Sequence, residues 1–406
     1  MGVNQTLYLP DAPWRQRPGL ARLCAALGAE DGAARFVGGV VRDTLLGLVA
    51  ADIDIATRHA PQDVIQRVKA AGLRAVPTGL AHGTITALLP DGPVEVTTLR
   101  RDVATDGRRA TIAYTDDWRE DAARRDFTIN ALYADPASGT LFDYFGGLAD
   151  LAARRVRFIG DPLQRIAEDH LRILRFFRFS ARFAEAVDAD GMAAATTRAN
   201  DLMALSRERI ADELLKLLLT PRAPETLSLM IAQGILKPVL PEIDSAARLA
   251  RVAAVETAGG LAPDAIRRLA ALLPDDPALG DRIGARLKLS NLQRKQIISA
   301  LDTRLAPPRA LAYRLGQNGA ADRIALHLDE AEALAALADV AGWPVPRLPI
   351  SGGELVARGL TRGPDVARTL HVIEDTWVAE DFPGAARLAE ITDLALAQAL
   401  RASSKA

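Results

Sequence analysis

Hydrophobic and polar positions change period along this chain. Up to about residue 150, short runs alternate apolar and polar side chains, as half-buried strands do. They are Asp52-Ile53-Asp54-Ile55-Ala56-Thr57, Gly83-Thr84-Ile85-Thr86-Ala87-Leu88-Leu89 and Val94-Glu95-Val96-Thr97-Thr98. Pro90-Asp91-Gly92-Pro93 stands between the last two, which predicts a hairpin. Helical spacing fills the intervals at Val40 to Leu46 and Pro61 to Ala71. From about residue 160 the pattern is almost wholly helical and rich in Ala, Leu and Arg. Its breaks fall at Thr220-Pro221, Leu273-Pro274, Ala306-Pro307-Pro308 and Trp343-Pro344 through Pro349. The expectation is an α+β head over 1–150, a mixed sheet with flanking helices. An elongated all-α remainder should follow, divided as 151–220, 221–306 and 307–406.

Composition narrows the chemistry. The chain has 406 residues, 49% of them hydrophobic, which is enough for a sizeable core and several domains. A formal net charge of −1 argues against a wholesale polycation but permits a local basic face. One cysteine, Cys24, precludes an intrachain disulfide framework and a thiolate zinc site. The five histidines stand at neither H-x-x-x-H nor H-D spacing, so histidine-based metallohydrolase chemistry is not expected. Met1-Gly2-Val3-Asn4-Gln5-Thr6 matches an acylation pattern, but no second lipid signal follows it. A soluble, cytoplasmic chain with no membrane association is expected.

Three stretches carry candidate chemistry. In Arg35-Phe36-Val37-Gly38-Gly39-Val40-Val41-Arg42-Asp43, an apolar strand enters two glycines and then a helix. Glycines there let backbone N–H groups approach a phosphate, and Arg42 would clamp the same anion. A tight strand–helix turn would have the same pattern. Asp52 and Asp54 are two apart in a strand, so both emerge on one face while Ile53 and Ile55 face the core. Adjacent carboxylates repel, and a hard divalent cation is the usual compensation. Glu95 is a third carboxylate if its strand lies beside theirs, and otherwise an edge residue. Arg124-Arg125-Asp126-Phe127-Thr128-Ile129-Asn130 offers cations for polyphosphate, with Asn130 a polar tip in an apolar run. In Glu168-Asp169-His170-Leu171-Arg172-Ile173-Leu174-Arg175-Phe176-Phe177-Arg178, Asp169, Arg172, Arg175 and Arg178 recur every third residue along one expected helix. The alternative there is a solvated basic face.

The ordered set of motifs resembles the class II tRNA nucleotidyltransferases (CCA-adding enzymes) of the tRNA nucleotidyltransferase/poly(A) polymerase family. It rests on Gly38-Gly39-Val40-Val41-Arg42-Asp43, Asp52-Ile53-Asp54, His82-Gly83-Thr84, Glu95-Val96-Thr97-Thr98, Arg124-Arg125-Asp126 and Glu168-Asp169-x-x-Arg172. It continues more thinly through Ser206-Arg207-Glu208-Arg209-Ile210, Ile350-Ser351-Gly352-Gly353-Glu354-Leu355 and Gly363-Pro364. The resemblance implies a polymerase-β-like catalytic head with a helical neck, body and tRNA-binding tail. It implies that Asp52, Asp54 and Glu95 hold Mg²⁺ and are catalytic. Gly38, Gly39, Arg42, Arg125, Asn130, Arg175 and Arg178 would serve the incoming nucleotide, with Asp169 and Arg172 reading its base. An Asp acceptor beside an Arg donor satisfies the Watson–Crick edge of C or A, whereas G and U invert that order. A segment with Asp106, Arg108 and Arg109 would switch the enzyme from C to A; Ala110 stands where the family often has Pro.

The implied activity is untemplated addition of C, C and A to the 3′ end of tRNA from CTP and ATP, releasing pyrophosphate. The alternative is a poly(A) polymerase, or an enzyme adding only A or only CC. No protein partner is implied.

Overall fold

Alternating strands of the first 150 residues assemble into a seven-stranded sheet of order β3-β4-β5-β2-β1-β8-β9. Its strands are β1 (Ala34–Val37), β2 (Asp54–Thr57), β3 (Arg74–Gly79), β4 (Thr84–Leu89), β5 (Gly92–Thr98), β8 (Leu132–Ala134) and β9 (Leu141–Asp143). A separate hairpin comprises β6 (Arg100–Thr105) and β7 (Ala110–Tyr114). The computed structural model describes residues 7–50, 52–105, 110–361 and 363–403. It divides into two units, Met1–Asp244 and Ser245–Ala406.

The expected hairpin forms: β4 and β5 pair antiparallel from Thr84↔Thr97 to Leu89↔Gly92, leaving Pro90 and Asp91 as the turn. β2 pairs with β5 in parallel and with β1 antiparallel, so the sheet is mixed as expected. Period-2 alternation then decides the two faces. Ile55, Ile85, Val94 and Val96 are at most 1% exposed on one face. That face meets α3 (Pro61–Ala70), which follows α1 (Leu20–Ala26) and α2 (Gly39–Leu45) and turns Val64 and Val68 inward. The opposite face is divided. Over β1 and β8 it is closed by α4 (Trp118–Ala123), where Trp118 and Ala122 join Val37, Ala56, Leu99 and Tyr133 in one cluster. Over β5 and β4 it carries Glu95, Thr97, Thr84 and Thr86 instead of an apolar set.

Helices continue the first unit as α5 (Gly147–Ala152), α6 (Pro162–Glu168), α7 (Arg172–Phe183), α8 (Ala189–Thr197), α9 (Arg207–Leu218) and α10 (Ala223–Ala232). The expected single helix through Glu168–Arg178 is instead broken. Asp169 is extended (φ −149°, ψ 107°) between α6 and α7. Capping explains several starts: Asp161 accepts from Leu163 and Gln164 N–H before α6, and Ser206 from Arg209 N–H before α9.

The second unit is helical throughout its described residues. The expected breaks fall between its helices, at 271–276, 301–307 and 341–351, and Pro308 opens the helix that follows the second of them. No helix among the described residues is long and apolar enough to cross a membrane.

Candidate active site

Strand register brings the first carboxylates together. Asp54 and Glu95 are direct partners across the parallel β2–β5 pair, so both project from the same face. Asp52 lies two residues upstream, just before β2, and is exposed. Burial pushes the Asp54 carboxyl up to about 6, reinforced by the negative charges of Glu95 and Asp52 and opposed by Arg125. These are hard oxygen donors whose mutual repulsion is only partly compensated by the chain, a donor set that fits Mg²⁺. Their arrangement is nevertheless looser than a closed cage. Among the described residues, no three His, Cys, Asp or Glu side chains gather closely enough to hold a metal ion. Asp54 and Glu95 are the paired core of the set, and Asp52 approaches it from the preceding loop.

Beside this pair, β1 ends at Gly38, whose φ of 73° and ψ of −123° suit glycine alone. A Cβ there would also stand 3.3 Å from Nη1 of Arg125. Gly39 opens α2. Arg125 therefore lies against the glycine turn while its charge reaches Asp54. It is held by Tyr133 Oη (3.3 Å), Asp121 Oδ2 (3.3 Å) and the Asn130 carbonyl (3.4 Å). Asp121 is the anchor beneath. It accepts from Tyr133 Oη at 2.7 Å, and burial is outweighed by Arg125 and Arg124, which hold its carboxyl down at about 2.

The other predicted arginines meet acidic or carbonyl partners. Arg42 is 5% exposed. It donates to Asp43 Oδ1 at 2.8 Å and to Asn130 Oδ1 at 2.5 Å, bracing the turn from inside beside Gly39. Asn130 passes the connection to Asp126 at 3.0 Å, and Asp126 takes two bonds from Arg175, at 2.9 and 2.6 Å. Arg175 also lies 3.5 Å from Glu213 of α9, and Arg178 binds that carboxylate at 2.6 Å. Burial of Asp126 is outweighed by Arg175 and the Asn130 hydrogen bond, leaving its carboxyl at about 2. One chain of polar contacts thus runs from the glycine turn to α7 and α9.

Asp169 and Arg172 do not engage each other through their side chains, because the helix expected to align them is interrupted. Both Asp169 oxygens accept from Arg209 Nη2 of α9, at 3.0 and 2.9 Å. Arg172 donates to Glu168 (2.6 Å) and to the carbonyls of Arg165 and Arg124 (2.9 Å each). The arginine stripe is therefore no solvated face. Asp106, Arg108 and Arg109 of the expected switching segment lie outside the described residues, as does the Met1–Thr6 pattern.

Two family descriptions match this architecture: "Poly A polymerase head domain" over residues 34–157, and "Probable RNA and SrmB-binding site of polymerase A" over 186–247. The CCA tRNA nucleotidyltransferase 1, mitochondrial, of Mus musculus is 34% identical over 378 residues, spanning 88% of this chain and 86% of that protein. This chain belongs to the CCA tRNA nucleotidyltransferase family. The CCA-adding enzyme of Levilactobacillus brevis is 42% identical over 223 residues, 54% of either chain. The crystal structure of the Bacillus stearothermophilus CCA-adding enzyme in complex with CTP has a TM-score of 0.74 at 26% identity. It covers 96% of this nucleotidyltransferase and 100% of that chain.

Sequence reasoning missed the groups that hold this nucleotidyltransferase's arginines, namely Asp43, Asp121, Asp126, Tyr133, Glu168 and Glu213, and it missed Arg209, which holds Asp169. Asp43, Asp126, Glu168 and Arg209 lie inside motifs already singled out, and an opposite charge within four residues of each was the available signal. Tyr133 sits in an apolar run, where a lone polar group needing a buried partner is the only hint, whereas Glu213 stands between Asp212 and Lys216 with no local sign that it turns inward.

Proposed function

We propose that this enzyme adds C, C and A to tRNA 3′ ends from CTP and ATP by Mg²⁺-dependent nucleotidyl transfer. The acceptor's 3′-hydroxyl releases its proton to solvent as its oxygen bonds to the α-phosphorus, the bridge to the β-phosphate breaks, and pyrophosphate leaves. The observation that carries this reading is the under-compensated Asp54–Glu95 pair beside a glycine turn overlain by Arg125. Asp54 and Glu95, with Asp52, would hold the metal. A bound divalent cation supplies neutralising charge and polarises phosphate oxygens.

The protein's own groups then divide the remaining work. Gly38 and Gly39 leave room for a phosphate against backbone N–H groups, and Arg125 directs donors at its charge. Asp121 and Tyr133 fix that guanidinium, so little ordering is left for the reaction. Asp169 and Arg172 read the base on this proposal. Asp169 would then exchange Arg209 for the exocyclic amine of C or A, and Arg172 would turn a donor from Glu168 to the ring nitrogen. Arg175 and Arg178 support that helix from behind through Asp126 and Glu213.

The test is incubation of tRNA lacking its 3′ CCA with Mg²⁺ and labelled CTP, ATP, GTP or UTP, followed by sequencing of the product end. A product ending in CCA, with G and U excluded, is expected. Tails of A alone, or ends stopping at CC, would move the chain to a poly(A) polymerase or a partial enzyme.

A further inference from the structure

The sheet face beyond Glu95 carries polar side chains that the catalytic groups leave unused. Thr86 of β4 is the direct cross-strand partner of Glu95, which is itself the partner of Asp54. One row across three strands therefore reads Thr86, Glu95, Asp54. Thr97, two residues after Glu95, shares its face and pairs with Thr84. The hydroxyls are coupled, Thr86 to Thr78 at 2.7 Å and Thr97 to Thr84 at 3.0 Å. Within each pair one O–H is used internally, so each pair keeps one donor and several lone pairs for an outside group. Glu95 and Thr78 are exposed, Thr84 and Thr97 are half-buried, and Thr86, 8% exposed, is hydrogen-bonded to the exposed Thr78.

Geometry assigns the occupant. Strand order places β1 and its glycine turn on one side of Asp54, and β5 with β4 on the other. A nucleotide whose phosphates rest on the Gly38 turn has its leaving group on the β1 side. In-line displacement then requires the attacking oxygen on the opposite side, over Glu95. The ribose bearing that oxygen lies on the threonine rows, next to the carboxylates. Its 2′-hydroxyl, a neighbour of the attacking 3′-hydroxyl, is the one sugar group that separates RNA from DNA.

We infer that Thr86 and Thr97, each backed by its threonine partner, seat the acceptor's terminal ribose and recognise its 2′-hydroxyl. They are positioning residues that select an RNA end, and their role rests on the nucleotidyl-transfer reading above. Valine at either position keeps the branched shape that strands favour and removes only the hydroxyl.

The experiment compares CMP addition to CCA-less tRNA ending in a ribonucleotide with addition to the same tRNA ending in a 2′-deoxynucleotide. The wild-type enzyme should prefer the ribo end by about tenfold in kcat/KM, the scale of one hydrogen bond. In Thr86→Val/Thr97→Val that preference should collapse. KM for the ribo acceptor should rise about tenfold while KM for CTP stays unchanged. Thr97→Ser, which retains the hydroxyl, should behave as wild type. A wild-type enzyme indifferent to the 2′-hydroxyl overturns the inference without need of any variant. So does a folded double-valine variant with unaltered preference. Failure of the wild-type enzyme to add CMP to any acceptor would instead overturn the underlying activity.

Discussion

The two halves of the candidate site treat charge in opposite ways. On the sheet, Asp54 stands opposite Glu95 with more negative charge than the chain compensates, and its carboxyl is pushed up to about 6. On the helices, Asp126 and Asp121 are buried against arginines, and both carboxyls are held down at about 2. The first half gains when a cation arrives; the second is already satisfied and acts as scaffold. On the proposed reading, function is concentrated where electrostatics is unfavourable, and rigidity where it is closed. The arginines look like a nucleotide-binding stripe in the sequence, yet most of their donors serve the protein itself.

The sharpest way to break this contrast is to remove the unsatisfied charge. Asp54→Ala or Asp52→Ala should lower kcat for both CMP and AMP transfer by on the order of 10³-fold or more, with folding retained. Steady-state kinetics on CCA-less tRNA, beside circular dichroism, checks it; near wild-type CTP incorporation would refute the metal assignment. Asp169→Ala should reduce the kcat/KM preference for CTP over UTP by on the order of 10²-fold, since the exocyclic amine loses its acceptor. An unchanged ratio would leave Asp169 as a structural partner of Arg209.

On the scaffold side the expected effect is on stability. Asp126→Ala strands Arg175 and Asn130 and should cost about 3 kcal/mol in denaturant unfolding. A loss under about 1 kcal/mol would mean that Glu213 alone suffices for Arg175. The smallest effect has the opposite sign. Asp54→Asn relieves repulsion and should stabilise the metal-free protein by about 1 kcal/mol at pH 8.

The pH dependence follows from proton linkage. Between the ordinary carboxylate value, about 4, and 6, the native state holds a proton on Asp54 that the unfolded chain has released. Stability from this group therefore falls as pH rises through that window and is level above it. The Asn variant should lack that slope. Asp126 and Asp121 contribute in the reverse direction: their stabilisation is complete above about 4 and is lost as pH falls toward 2. Thermal melts from pH 2 to 8 with and without the Asp54→Asn change separate the two, and a common slope in both proteins would refute the contrast.

What the sequence determined by itself was local. Alternation placed Asp54 opposite in face to Ile53 and Ile55, the Pro90-Asp91 turn set the β4–β5 register, and paired glycines marked the strand–helix turn. Strands β8 and β9, three residues each, were too short for their alternation to register, though they complete the sheet beside β1. Only the tertiary structure decided that Glu95 meets Asp54, because periodicity fixes a side chain's face but not the strand that will lie beside it. It also decided that α6 and α7 are separate helices. Asp169 is drawn to Arg209, forty positions away, while Arg172 turns to Glu168 and the Arg124 carbonyl. Buried guanidinium groups require partners wherever packing supplies them, and a spacing of three along one helix carries no record of carboxylates on another.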